Sequence, residues 1–298
     1  MAKMRVLLIT LLGLAVRHTV ASCPEGSITW PGEPCQPTAE AAVDATAFLS
    51  ENLPSWDAIN RATLFDGGIV LPTVNLSLTA RTRSAWAASV PRDIFNDYVL
   101  PFASVNEART DWREMFFPAL MPVVANATNL TEAATLVNAH AWALFGKPGK
   151  PIHFKSEQTP LIYDVMSTMA FGYASCTGVS IMYINALRAV GVPARLVGTP
   201  AWNGNVTHGN HNWVEVWLGE DSGWSFIEGA PAGGGETFEN PCDKWFCNAA
   251  KAEDTKYYAA RFARDAGTQI YPMAWDPTNL GIPGVDRTSF YQQTCGKC

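Results

Sequence analysis

Long apolar runs are almost missing from this chain. Beyond residues 6–16 the nearest approach, residues 115–125, is broken by Pro118 and Pro122, and neither run has the length of a membrane span. Charge is also scarce. Only 16% of residues are charged, against 48% hydrophobic and 11% aromatic, a balance that excludes a disordered chain and leaves ample apolar surface for a core. No run of five or more basic residues occurs, and the net charge is −6. Without residues 1–22 there remain 18 Lys+Arg against 27 Asp+Glu, a net of −9. Nucleic acid or an anionic membrane therefore finds no cationic patch to bind. There is no internal repeat and no low-complexity tract, so 298 residues suit one large domain with extensions or two domains.

Lys3 and Arg5, the apolar residues 6–16 and the small residues Thr19-Val20-Ala21-Ser22 form the pattern of a secretory signal over residues 1–22. A lipid anchor on Cys23 is the alternative, since Val20-Ala21-Ser22-Cys23 is similar to a lipobox, but Arg17 and His18 interrupt it. The 7 cysteines make an odd count. Cys23 and Cys35, Cys242 and Cys247, and Cys295 and Cys298 stand close in pairs. Local disulfides within each couple are the expectation, with other pairings open. Cys176 is left over. Sequons at Asn75, Asn126, Asn129 and Asn205 fit a secreted or extracellular glycoprotein.

Helical periodicity is expected over 38–52, 55–65, 80–89, 91–101, 111–117 and 131–145, the last with Thr131 as N-cap. A buried helix is expected over 176–190, stopped by Gly191-Val192-Pro193. Strands are expected at 194–198, 213–218 and 224–227, and a further helix at 251–265.

Three positions carry chemistry. Cys176, in Ser175-Cys176-Thr177-Gly178, opens the buried helix, where free N–H groups and the helix dipole favour thiolate. A packed, inert cysteine is the competing reading. Of the five histidines, His18 falls in the signal, His140 is expected to pack in a helix face, and His153 and His208 lie in loops. His211 begins a strand and is the expected base. Glu228 ends the next strand and is the expected acid that orients the imidazole. Glu215 shares a strand face with His211, but four residues of strand exceed ~12 Å, so a structural pairing suits it better. Arg195 is expected as an ion-pair partner. Ser175, Thr177, Trp202 and Trp213 are candidates for contacting substrate. No residues outside the disulfide candidates have metal-ligand spacing, and neither metal nor cofactor is expected.

The run Cys176-Thr177-Gly178, then residues 186–197, His211-Asn212-Trp213-Val214-Glu215-Val216-Trp217 and Trp224-Ser225-Phe226-Ile227-Glu228, resembles the transglutaminase-like superfamily. That core is also found in peptide N-glycanases and many microbial cysteine hydrolases. The resemblance implies an α+β, papain-like fold with a Cys-bearing helix packed on an antiparallel sheet, and Cys176, His211 and Glu228 as nucleophile, base and orienting acid. The family usually has Asp followed by Pro at the last place, where this chain has Glu228-Gly229-Ala230-Pro231. The expected organisation is a signal at 1–22, a helical N-terminal extension at 23–128, the core at 129–240 and a disulfide-closed cap and tail at 241–298. The expected function is a secreted cysteine-dependent amide hydrolase or acyltransferase acting on protein or peptide amides. The runner-up is a catalytically silent binding module of the cell surface or matrix.

Overall fold

The computed structural model of the protein describes residues 23–66, 68–234, 238, 240–265 and 269–298; the expected signal at 1–22 lies outside the described residues. Strands β1 (Ser27–Ile28) and β2 (Gln36–Pro37) form a small antiparallel ladder beside the Cys23–Cys35 disulfide. That bond occupies the sulfur a lipid anchor would need. Helices α1 (Thr38–Glu51), α2 (Arg61–Phe65), α3 (Val70–Arg83), α4 (Ala85–Ala88), α5 (Arg92–Tyr98), α6 (Trp112–Leu120) and α7 (Leu130–Leu144) follow. The parallel pair β3 (His153–Phe154) and β4 (Tyr173–Ala174) brackets α8 (Val165–Phe171) and leads into α9 (Cys176–Ala189). Then come β5 (Ala194–Thr199), β6 (His211–Trp217), β7 (Trp224–Ile227), the short α10 (Ala249–Ala252), β8 (Tyr258–Ala260), β9 (Gln269–Ile270), β10 (Pro283–Asp286) and α11 (Thr288–Cys295).

Helix α9 is the axis of the molecule. Every residue from Thr177 to Ala189 is buried, because α3, α6, α7 and α8 cover one side and β5 and β6 the other. A helix buried all round needs apolar residues all round, and Ile181, Ile184 and Leu187 each contribute about 2 kcal/mol by leaving water. The N-terminal helices dock through arginine as well as apolar contact. The buried Arg113 of α6 donates to the carbonyls of Arg188, Val99, Leu100 and Pro101, and Arg188 donates to those of Tyr98, Ala103 and Ala194. Burial lowers the pKa of both guanidinium groups, yet a fan of carbonyl acceptors takes up most of their N–H groups, Arg113 Nε excepted.

The antiparallel sheet has the order β7-β6-β5-β8-β10-β9. Its strands alternate between two cores. Ala194, Leu196, Val214, Val216 and Ile227 face α9. Val197, Trp213 and Phe226 join a second core with Phe246, Tyr257 and Tyr291 from the C-terminal segment. Between these apolar residues lies a buried ion pair, Arg195 to Glu215 at 2.6 Å, with Arg287 and Tyr291 bonding the other carboxylate oxygen at 2.9 and 2.8 Å. Arg195 and Glu215 are thus structural partners on paired positions of β5 and β6.

Several elements differ from the sequence expectation. Residues 251–265 are not a helix: α10 ends at Ala252, and Tyr258–Ala260 pairs with β5 at Val197 and Gly198. The free edge of β5 offers a ladder of hydrogen bonds that outweighs the helix preference of alanine. The expected 80–89 helix is the end of α3 followed by α4, separated by the extended Ser84. Residues 55–65 form a turn at Ala58–Asn60 and then α2. Asn129, not Thr131, caps α7, its Oδ1 accepting from Glu132 N at 2.8 Å while the Glu132 carboxylate returns to Thr128. His140 is exposed on α7 instead of packed. The C-terminal cysteines pair as Cys242–Cys298 and Cys247–Cys295, not within each couple, so they tie residues 242–247 to α11.

Candidate active site

Ser175, at the N-cap of α9, makes no capping hydrogen bond; its hydroxyl instead lies 2.6 Å from that of Thr159. The N–H groups of the first turn are therefore left open, and Cys176 stands among them. It is the one free cysteine among the described residues and is partly exposed. His211 is the first residue of β6 and pairs with Thr199 of β5, so the sheet holds its backbone while its ring reaches the sulfur. Glu228 follows β7, which runs beside β6.

The three side chains meet. His211 Nε2 lies 2.6 Å from Glu228 Oε1, which leaves Nδ1 for the Cys176 sulfur, and ring and sulfur each favour the charged form of the other. The added methylene of Glu228, relative to aspartate, is accommodated because α7 anchors its backbone. Asn138 Nδ2 donates to the Glu228 carbonyl at 3.1 Å, and Asn138 Oδ1 accepts from Ala230 N at 2.9 Å. Gly229 lets the chain pass close to α7 and α9, since a Cβ there would stand 2.7 Å from Val179 and 3.0 Å from Trp142.

Electrostatics follow from this geometry. Burial alone would push the Cys176 thiol up. The hydrogen bond and charge of His211, the Asn212 backbone N–H and the Thr177 hydroxyl outweigh it and hold the thiol below its ordinary range. Burial would likewise lower the His211 pKa, but Cys176 and Glu228 raise it to about 9. Both shifts favour a thiolate beside an imidazolium. Lys244 Nζ stands 4.0 Å from the second Glu228 oxygen and donates to the Gly233 carbonyl at 2.8 Å.

A cavity of about 630 Å³ opens over Cys176 and His211. Ser175 and Thr177 line it, with Thr159, Glu157, Asn210, Phe154 and two indoles, Trp245 and Trp275. Trp202 and Trp213 do not. Both are buried one layer behind, Trp202 against Trp245 and Phe246, and Trp213 against Phe246 and the His211 ring. Trp245, at 59% exposed, supplies the apolar wall instead. Its place in a loop between two cysteines is the only sequence signal that marks it. Asn138 was also legible only in outline, as one polar residue within the apolar stripe of Leu130, Ala133, Ala134, Val137 and Ala141.

The other candidates separate. His208 is exposed in a turn near Asn203 and Asn205, and His153 is exposed beside Tyr173. The sulfurs of Cys242, Cys247 and Cys298 lie within 4.8 Å of one another, but each closes a disulfide. Asn75, Asn126, Asn129 and Asn205 are all exposed.

No curated protein matches the chain. Among solved structures, a candidate cysteine protease from Cytophaga hutchinsonii is 16% identical with a TM-score of 0.34, covering 68% of this chain and 66% of its own. Red sea bream transglutaminase is 12% identical with a TM-score of 0.34, covering 50% of this chain and 33% of its own. This chain thus spans about two thirds of the first protein and a third of the second. The family model of the transglutaminase-like superfamily matches residues 122–228, which run from the end of α6 through α9 to Glu228. That segment of this α+β protein is similar to the core of the transglutaminase-like superfamily.

Proposed function

We propose that the protein is a cysteine-dependent enzyme that cleaves or transfers amides through a thioester. The observation that carries the reading is the hydrogen-bonded series of Cys176, His211 and Glu228 at the floor of an open cavity. Cys176 thiolate attacks the carbonyl carbon, and the C–N bond breaks as imidazolium His211 protonates the departing amine. Backbone N–H groups at the uncapped start of α9 stabilise the oxyanion. Water, deprotonated by the now neutral His211, then attacks the thioester and releases the carboxylic acid with the thiolate restored. An amine in place of water gives acyl transfer. Glu228 holds the ring in register. Ser175 and Thr177 line the path of the substrate, with Trp245 and Trp275 as apolar walls.

Three disulfides and the sequons support a secreted or extracellular location, because such bonds persist in oxidising compartments. Among the described residues no helix is long and apolar enough to cross a membrane.

The test is Cys176→Ala against wild type on a broad panel of peptide amides, with amine incorporation read in the same samples. Loss of about 10³-fold or more is expected, and iodoacetamide labelling of wild type should produce the same loss. Unchanged turnover in Cys176→Ala would end the reading. A wild-type thiol that alkylates slowly, with ordinary pH dependence, would favour the silent binding module.

A further inference from the structure

A chain of buried hydrogen bonds ends at Thr177, the neighbour of Cys176, and it begins outside the matched core. Tyr271, which follows β9, is 1% exposed and donates from its hydroxyl to Asn212 Oδ1 at 2.6 Å. Asn212 Nδ2 donates to Thr177 Oγ1 at 2.9 Å. With its oxygen accepting from the amide, the Thr177 hydroxyl has its proton free for the neighbouring sulfur, and it favours the thiolate of Cys176. The Asn212 backbone is held as well, its carbonyl accepting from Ser180 of α9 at 3.4 Å.

The local sequence is built to admit this amide. Gly198 is paired with Asn212 across β5 and β6, and a Cβ there would run into the Asn212 side chain and the His211 carbonyl. Burial, with the nearby thiolate adding to it, pushes the Tyr271 phenol well above its ordinary range. The phenol therefore stays protonated and acts as a donor. Each bond in such a chain polarises the next, so the donor strength of Thr177 depends on Tyr271.

We infer that Tyr271 is a positioning residue of the thiol site, acting through the Asn212 side-chain amide to fix the Thr177 hydroxyl beside the Cys176 sulfur. The C-terminal segment thereby completes a site whose reacting groups all lie in the matched core. The inference rests on Cys176 being a reactive thiolate.

The pH dependence of Cys176 alkylation by iodoacetamide tests it in the full-length protein, with no substrate needed. The titratable groups facing the pair, His211, Glu228 and Lys244, stay in place throughout. Tyr271→Phe should move the midpoint upward, slowing alkylation below the midpoint about 3- to 10-fold while the alkaline plateau stays the same. Thr177→Val should do the same, and Thr177→Ser, which keeps the hydroxyl, should restore the wild-type midpoint. The double variant Tyr271→Phe/Thr177→Val should shift no further than Thr177→Val alone, because Tyr271 acts through Thr177. Additive shifts, or a wild-type midpoint in folded Tyr271→Phe, would overturn the proposal. So would a wild-type midpoint in Thr177→Val, whether or not Tyr271→Phe folds. A shifted midpoint in a protein inactive on every amide would retain the hydrogen-bond chain and remove the enzyme. An active enzyme with unmoved midpoints would do the reverse.

Discussion

Buried imidazole normally gives up its proton, since a charge in a dry site loses its hydration. His211 keeps one because a sulfur and a carboxylate flank it on opposite ring nitrogens. The sign of the pH dependence follows. Its pKa rises from 6.5 to about 9 in the folded protein, so its contribution to stability is complete below pH 6.5 and is lost as pH rises through about 9. Turnover should show an alkaline limb near pH 9 and an acid limb below the ordinary thiol range, both belonging to the coupled pair. Glu228→Gln removes the negative charge on Nε2. It should bring the alkaline limb down by about one pH unit and lower kcat on the order of 10²-fold, read from a pH–rate profile. An alkaline limb that stays in place would dissociate Glu228 from the imidazole. At this scale the sequence was informative: a lone cysteine at a helix start, a histidine at a strand start and an acid at a strand end are local patterns. The residues that refine the site, Tyr271, Asn138 and Lys244, come from elsewhere in the chain and carry no local mark.

Among the elements, α7 bears on the site without touching the thiol. Asn138 bonds both sides of Gly229 and also accepts from Trp142 Nε1 at 3.2 Å. Asn138→Ala would leave the Ala230 and Trp142 donors without this partner in a dry setting, costing about 2–4 kcal/mol. The expected outcome is a lower Cm in urea together with a fall in kcat, as Glu228 loses its anchor. A variant that loses stability with kcat intact would place the role of α7 in packing alone. Elements were legible where one face had to be apolar, as in α1, α7 and α9, and in β6 and β7. They were less so at α3, whose buried face includes Thr73, Ser77 and Arg81, polar residues that disguise the helical stripe. Tyr258–Ala260 could not be read at all, since only its pairing with β5 and β10 makes it a strand.

The whole molecule joins its two cores across one sheet, and the second core depends on residues after Gly233. Two disulfides hold the Cys242–Cys247 turn against α11, and that turn delivers Lys244 to Glu228, Trp245 to the cavity and Phe246 to the His211 ring, at 4.8 Å. Replacing Cys247 and Cys295 by serine removes the inner of two nested bridges, while Cys242–Cys298 still closes the outer loop. By loop-closure entropy over the short path that the inner bridge closes, this costs about 2–3 kcal/mol. Thermal unfolding should show the loss, and turnover should fall in the surviving folded fraction because the aromatic wall loosens. Full turnover per folded molecule would mean that the turn holds its place through packing alone.

Sequence alone determined the candidate triad, the buried helix that carries the thiol, the paired strands behind the histidine and the surplus cysteine. Each is set by short-range periodicity or by counting. Tertiary structure alone decided which cysteines pair, which indole walls the cavity, and that a tyrosine 95 positions beyond the thiol reaches its neighbours. Such choices depend on which distant surfaces come to share one buried volume, and no local pattern encodes that.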